Sequence, residues 1–290
     1  MGLAAETEGK RNYVIFLSYD SYNSYLSYHS YNNPNTILPV KDLLDSEAAR
    51  INSPAFIADD PVQFPRRFDE LTDIEIAALL SASIAWGNRK MICKDCDKMM
   101  ALMDHQPYNY VMDEGYEDLP DDGNIHRTFF NRHLKYFCRG LRRIYSQHGN
   151  LQEFARHLDI ASSEAPAWKL VEGINAALAE ANTPASSEMA SRCLPQNLST
   201  TALKRVNMAL RWLVRNDGIV DLGVWDVITP AQLYIPLDVH VGNTSRELGL
   251  LTRKGADRRA VVELTDRLRE FNPQDPTLYD FALFGIGMKL

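Results

Sequence analysis

An all-α fold is the prediction, and three observations carry it. Apolar residues recur at helical spacing in nearly every segment beyond residue 40, no stretch keeps the two-residue alternation of a strand for more than a few positions, and the segment 73–86 is apolar on almost every face. A helix that is apolar all round belongs at the centre of a bundle. With 45% hydrophobic and 24% charged residues, the 290-residue chain has ordinary globular composition. A compact chain of this length buries roughly 75% of its unfolded surface, enough to fold without disulfides.

Residues 1–40 read as a disordered tail, because Ser-Tyr units repeat through 18–35 without a core-forming pattern. The apolar run Asn12 to Leu17 is far shorter than the roughly 20 residues of a membrane span, so no membrane partner is expected. Residues 41–290 form the helical domain. Asp42–Ile51 is a charged amphipathic helix, and Asp73–Trp86 follows with Thr72 or Asp73 as its cap. Gly87-Asn88 ends that helix and Lys90–Met103 restarts it. Six acids within Asp113–Asp122 mark a solvent loop. Further helices are expected over 127–147, 151–158, 167–181, 200–215, 239–250, 258–270 and 277–285. The Ser-, Pro- and Asn-rich stretch 183–199 is a candidate hinge between two helical lobes.

The 31 Lys and Arg against 38 Asp and Glu leave a net charge of −7, so a nucleic-acid site would have to be a local patch. Two segments oppose the average. Residues 127–143 hold Arg127, Arg132, Lys135, Arg139, Arg142 and Arg143 without an acid, interleaved with Phe129, Phe130, Tyr136 and Phe137. On the 200–215 helix, Lys204, Arg211 and Arg215 fall within about 40° of one another opposite an apolar face. Each patch reads either as a solvated face paired with surface carboxylates or as a phosphate-binding ridge. Cys93 and Cys96 form the one close cysteine pair, with neither a second pair nor a His doublet, so no zinc site is expected and the four thiols read as reduced, as in a cytoplasmic protein.

Pro236 enforces an extended approach to Asp238, which stands where an N-cap belongs, and Gly249 stands where the following helix should end. As a cap, Asp238 contributes ~1 kcal/mol, and the positive helix end favours a negative charge there.

Leu237-Asp238-Val239-His240-Val241, followed by Arg246-Glu247-Leu248-Gly249-Leu250, resembles the Val-Asp-Thr-His-Val motif of the helix-hairpin-helix DNA glycosylases of the endonuclease III superfamily. Leu79-Leu80-Ser81-Ala82 with Asn88 is similar to their early core helix. Trp86-Gly87-Asn88-Arg89, Arg211-Trp212-Leu213-Val214-Arg215 and Asp280-Phe281-Ala282-Leu283-Phe284-Gly285 extend a resemblance, over roughly 41–290, to an uncharacterised bacterial family placed near that superfamily.

The resemblance implies a two-lobed helical bundle of the glycosylase type, acting on duplex DNA in base-excision repair. Asp238 would face the sugar of an extruded nucleotide as its N-glycosidic bond breaks. Lys204 is the positional match to the lysine that attacks the sugar in bifunctional members, with a phosphate contact or a plain surface lysine as its other readings. His240 and Asn243 would support Asp238 from behind. Arg211, Arg215, Arg127, Arg132, Lys135, Arg139 and Arg246 would contact DNA, and Trp86 and Trp212 are candidates for stacking an extruded base, although both sit on apolar helices that suit a core role.

Two departures are plain. The hairpin glycines of those enzymes are absent from Leu194-Pro195-Gln196-Asn197-Leu198-Ser199-Thr200-Thr201, and Lys204 lies 34 residues before Asp238, a longer separation than usual. No cysteine follows Cys193, so no iron–sulfur cluster is expected. A non-catalytic module that keeps the scaffold and binds nucleic acid or protein is the alternative, and a hydrolase of a small nucleoside or nucleotide is a third reading.

Overall fold

The computed structural model describes residues 37–290; the tyrosine-rich stretch lies outside the described residues. The described residues are predominantly α-helical, as expected. In chain order the helices are α1 (Ile37–Ile51), α2 (Pro54–Ala58), α3 (Leu71–Ser83), α4 (Arg89–Leu102), α5 (Pro107–Met112), α6 (Asn131–His148), α7 (Leu151–His157), α8 (Pro166–Ala181), α9 (Ser187–Cys193), α10 (Lys204–Val214), α11 (Val239–Glu247), α12 (Arg258–Phe271) and α13 (Tyr279–Met288). A two-stranded antiparallel hairpin, β1 (Asn124–His126) with β2 (Phe129–Phe130), precedes α6. The expected 127–147 helix therefore starts four residues late, since so short a hairpin leaves no readable alternation.

Helix α3 is central, with every residue from Ile74 to Ser83 buried, and it packs on α5 and α10. Around it α6 packs on α5, α7, α8 and α9, while α1 and α11 pack on α13. Where α6 crosses α8, a Cβ on Gly140 would come within 2.9 Å of the Leu178 backbone, so only glycine permits the approach. The stretch 183–199 contains α9, whose Ala190 and Cys193 are buried. No helix among the described residues is long and apolar enough to cross a membrane.

Thr72 or Asp73 was expected to cap α3, but the helix starts earlier, with Glu70 at its N-cap position, and the Asp73 carboxylate accepts the Tyr108 amide at 2.7 Å and so serves the first turn of α5. Inside α3 the buried acid Glu75 ties three elements together. Its carboxylate accepts the Leu151 and Gln152 amides of α7 at 2.8 and 2.9 Å, the Tyr145 hydroxyl at 2.9 Å and the Trp225 indole N–H at 2.8 Å. Burial pushes Glu75 up to about 7, against those four donated bonds. The folded value lies above the ordinary 4.5, so this group's contribution to stability is lost as pH rises from about 4.5 through 7. In Glu75→Gln an amide N–H₂ must face two of the four donors. Equilibrium unfolding in denaturant should show a loss of about 2–3 kcal/mol at low pH, without the wild-type decline between those pH values.

Candidate active site

Local folding delivers Asp238 as a helix cap, as expected, but the approach is a tight turn at Pro236 rather than an extended run, with the Leu237 amide donating to the Ile235 carbonyl at 2.8 Å. Asp238 adopts β geometry at φ −112°, and its Oδ1 accepts the Val241 amide at 2.9 Å to start α11. The other oxygen, Oδ2, lies 3.2 Å from Lys204 Nζ at the first residue of α10. The Asp238 side chain is 14% exposed and that of Lys204 35%. The carboxylate is thus a cap on one side and an open ion pair on the other.

Both groups line a cavity of about 900 Å³, at the upper end of the ~300–1,000 Å³ typical of ligand pockets. Lys204, Met208 and Arg211, at i, i+4 and i+7, form the α10 stripe that faces it. Asp280, Phe281, Phe284 and Met288 come from α13, Arg89, Lys90, Cys93 and Lys94 from the start of α4, and Phe56, Ala58, Asp59 and Asp60 from α2 and the turn after it. The charged lining comprises Asp59, Asp60, Asp97, Asp238 and Asp280 with Arg89, Lys90, Lys94, Lys204 and Arg211, an even balance of sign.

Beneath the cavity runs a buried ion network. Arg211 donates to Asp280 Oδ2 and, at 3.3 Å, to Asp221 Oδ1, with its guanidinium 4.3 Å from the Phe281 ring centroid. Arg215 pairs with Asp221, with Asp217 at 2.9 Å and with Asp275 at 2.9 Å. Burial pushes Asp280 up to about 6, with Arg211 opposing, and pushes Asp221 up against both arginines. On the α2 side Asp60 accepts the Val62 amide at 3.0 Å and pairs with Arg89 at 3.4 Å. Burial raises its carboxyl, opposed by Arg89. Burial and Asp60 push the Cys93 thiol up to about 11, so it is not a thiolate nucleophile near neutral pH.

Several expectations need correction. Arg211 and Arg215 do not form an exposed ridge with Lys204: each is 3% exposed and held by carboxylates. Their side of α10 faces α13 and the 217–221 turn, which a helical wheel cannot show. Trp212 is fully buried in the core and cannot stack on a ligand. Trp86 is half-buried, stands outside the cavity, and carries the Arg205 guanidinium 5.1 Å from its ring centroid with His126 edge-on at 4.7 Å.

The basic segment is largely neutralised. Arg139 binds Glu117 through two 2.6 Å bonds, Lys135 pairs with Asp121 at 2.8 Å, Arg142 with Glu114 at 2.8 Å and Arg143 with Glu180 at 2.5 Å. Arg132 lies over the Phe130 ring at 4.5 Å, and Arg127 sits at φ +50° in the hairpin turn. Arg246 donates to the Arg253 and Lys254 carbonyls, both at 2.8 Å, and to Asn243 Oδ1 at 3.0 Å, tying down the loop after α11. Among these candidates the structure brings together Asp238, Lys204, the buried Arg211 and the exposed His240 at the cavity.

The expected 200–215 helix begins at Lys204. Its first four residues are a loop pinned to the rest of the domain: the Thr200 carbonyl accepts the Arg258 amide at 2.8 Å, Thr201 bridges to Asp257, and Leu203 turns at φ +49°. Asp60, Arg89 and Asp280 were missed as cavity residues. Arg89 and Asp280 lie inside motifs already singled out above, but only the fold shows that they converge. No group of three or more His, Cys, Asp or Glu among the described residues could hold a metal ion.

Neither the curated proteins nor the solved structures compared with this chain contain a match. Residues 60–289, which include every charged cavity residue except Asp59, match the family described as "Protein of unknown function (DUF2400)", and the chain belongs to that family.

Proposed function

We propose that this protein binds duplex DNA and breaks the N-glycosidic bond of an extruded nucleotide, with Asp238 beside the sugar. The observation that carries the reading is the open Asp238–Lys204 pair in a cavity with room for a nucleobase. As the C1′–N bond lengthens, positive charge gathers on the sugar, and a carboxylate already in place lowers that barrier without reorganising. Lys204 holds the carboxylate in register. In the bifunctional variant of the chemistry, Asp238 takes a proton from Lys204, whose free amine then attacks C1′ as the base leaves.

A second reading, hydrolysis of a free nucleoside or nucleotide, is favoured by the neutralised basic segment and the balanced charge of the cavity. One experiment separates them. Duplexes bearing uracil, 8-oxoguanine or alkylated bases, and the corresponding free nucleosides, are incubated with wild type and with Asp238→Asn, and released base is measured. Asp238-dependent release from at least one duplex is expected, and trapping with borohydride reports whether Lys204 becomes covalently attached. Release from nucleosides alone moves the activity to small molecules. No release from either class ends both enzymatic readings.

A further inference from the structure

We propose that Asp280 is the proton donor to the departing base, acting in the same cavity as Asp238; the inference rests on the base-release reading. Asp280 stands in the first turn of α13 and lines the cavity together with Asp238 and Lys204. Its Oδ2 accepts from Arg211, whereas its Oδ1 receives no hydrogen bond from the described residues and the side chain keeps 10% exposure, which leaves Oδ1 open to a ligand.

The surrounding charge favours a proton on that oxygen. Arg211 and Arg215 are two cations set against four carboxylates, those of Asp217, Asp221, Asp275 and Asp280, so the cluster carries more negative charge than its guanidiniums neutralise. Arg211 and Lys204 come to Asp280 from α10, Asp221 from the turn after it, and Asp238 and His240 from the head of α11. Asp60, paired with Arg89, lines the same cavity, and Asp45 of α1 binds the neighbouring Tyr279 hydroxyl at 2.7 Å. Burial, aided by Asp238 and Asp221, outweighs Arg211 and Lys204 and sets Asp280 at about 6. One cavity therefore holds an ion-paired carboxylate and a carboxyl that keeps its proton under mildly acid conditions, the arrangement by which acid and anion roles are divided.

In the step, the Asp280 proton passes to a nitrogen or carbonyl oxygen of the base. The C1′–N bond breaks with its electron pair leaving on the base, and the positive sugar faces Asp238. Water then adds through its oxygen to C1′ and gives its proton to Asp238, which returns it to solvent, while solvent reprotonates Asp280.

The test is the pH profile of single-turnover base release on whichever duplex of the panel is processed. Wild type should fall about tenfold per unit above pH 6. Asp280→Asn should be slower by about 100-fold or more with that limb flattened, Asp280→Glu should recover part of the rate, and melting curves check that both fold. A wild-type profile flat from pH 5 to 8 overturns the inference without recourse to any variant, and so does a folded Asp280→Asn with the wild-type rate and profile. Either result, with release still dependent on Asp238, leaves the base-release reading standing. Absence of release by wild type at every pH removes that reading and this inference with it.

Discussion

Asp238→Asn should abolish most base release, by at least about 100-fold, while the protein melts within about 2 °C of wild type. The two halves of this expectation come from the two oxygens of one carboxylate. Oδ1 accepts the Val241 amide, and asparagine caps helices as well as aspartate does, so α11 keeps its start. Oδ2 carries the charge that meets Lys204 and would face the sugar. Removing one preorganised stabilising group from an active site typically costs 10²–10³ in rate. A variant with the wild-type rate would show that the cap is the residue's whole role.

Arg211→Ala should lower the unfolding free energy by about 3–5 kcal/mol, measured by denaturant titration at pH 7. Removing one partner of a buried network is costly: here it leaves Asp280 without its ion-pair partner and Asp221 with Arg215 alone in place of two guanidiniums, both carboxylates being buried. The contact with the Phe281 ring is lost as well. The deficit should shrink toward pH 5, because protonating Asp280 removes the stranded charge. Arg139→Ala is the control: its bonds to Glu117 join two part-exposed groups, and the expected loss is below about 1 kcal/mol. Equal losses for the two variants would contradict the buried network.

What could be read from residue order was whatever one segment decides by itself. The continuous apolar surface of 73–86 placed α3 at the centre, and Pro236, Asp238 and Gly249 delimited α11, whose last turn is followed by Gly249 at φ +70°. What could not be read was the partner of each charge. The acidic loop 113–122 was assigned to solvent and the basic segment 127–143 either to a face paired with surface carboxylates or to a phosphate-binding ridge, and the fold shows Arg139, Lys135 and Arg142 neutralising Glu117, Asp121 and Glu114 of that loop. Arg211 and Arg215 repeat the lesson at depth. Spacing puts them on one face of α10, but whether that face meets water depends on Asp221, Asp275 and Asp280, brought in from 10, 60 and 69 residues away. The cavity was legible only in part for the same reason, since Asp238 announces itself by its cap while Asp60, Arg89 and Asp280 acquire a site only when α2, α4 and α13 meet.

The most direct test is equilibrium binding, by wild type and Asp238→Asn, of a duplex in which a cationic pyrrolidine replaces one sugar and mimics the charge of the breaking bond. A carboxylate placed to stabilise that charge should make wild type bind this duplex at least about 100-fold more tightly than an unmodified one, and the preference should vanish in Asp238→Asn. Equal affinity of wild type for the two duplexes would contradict the account.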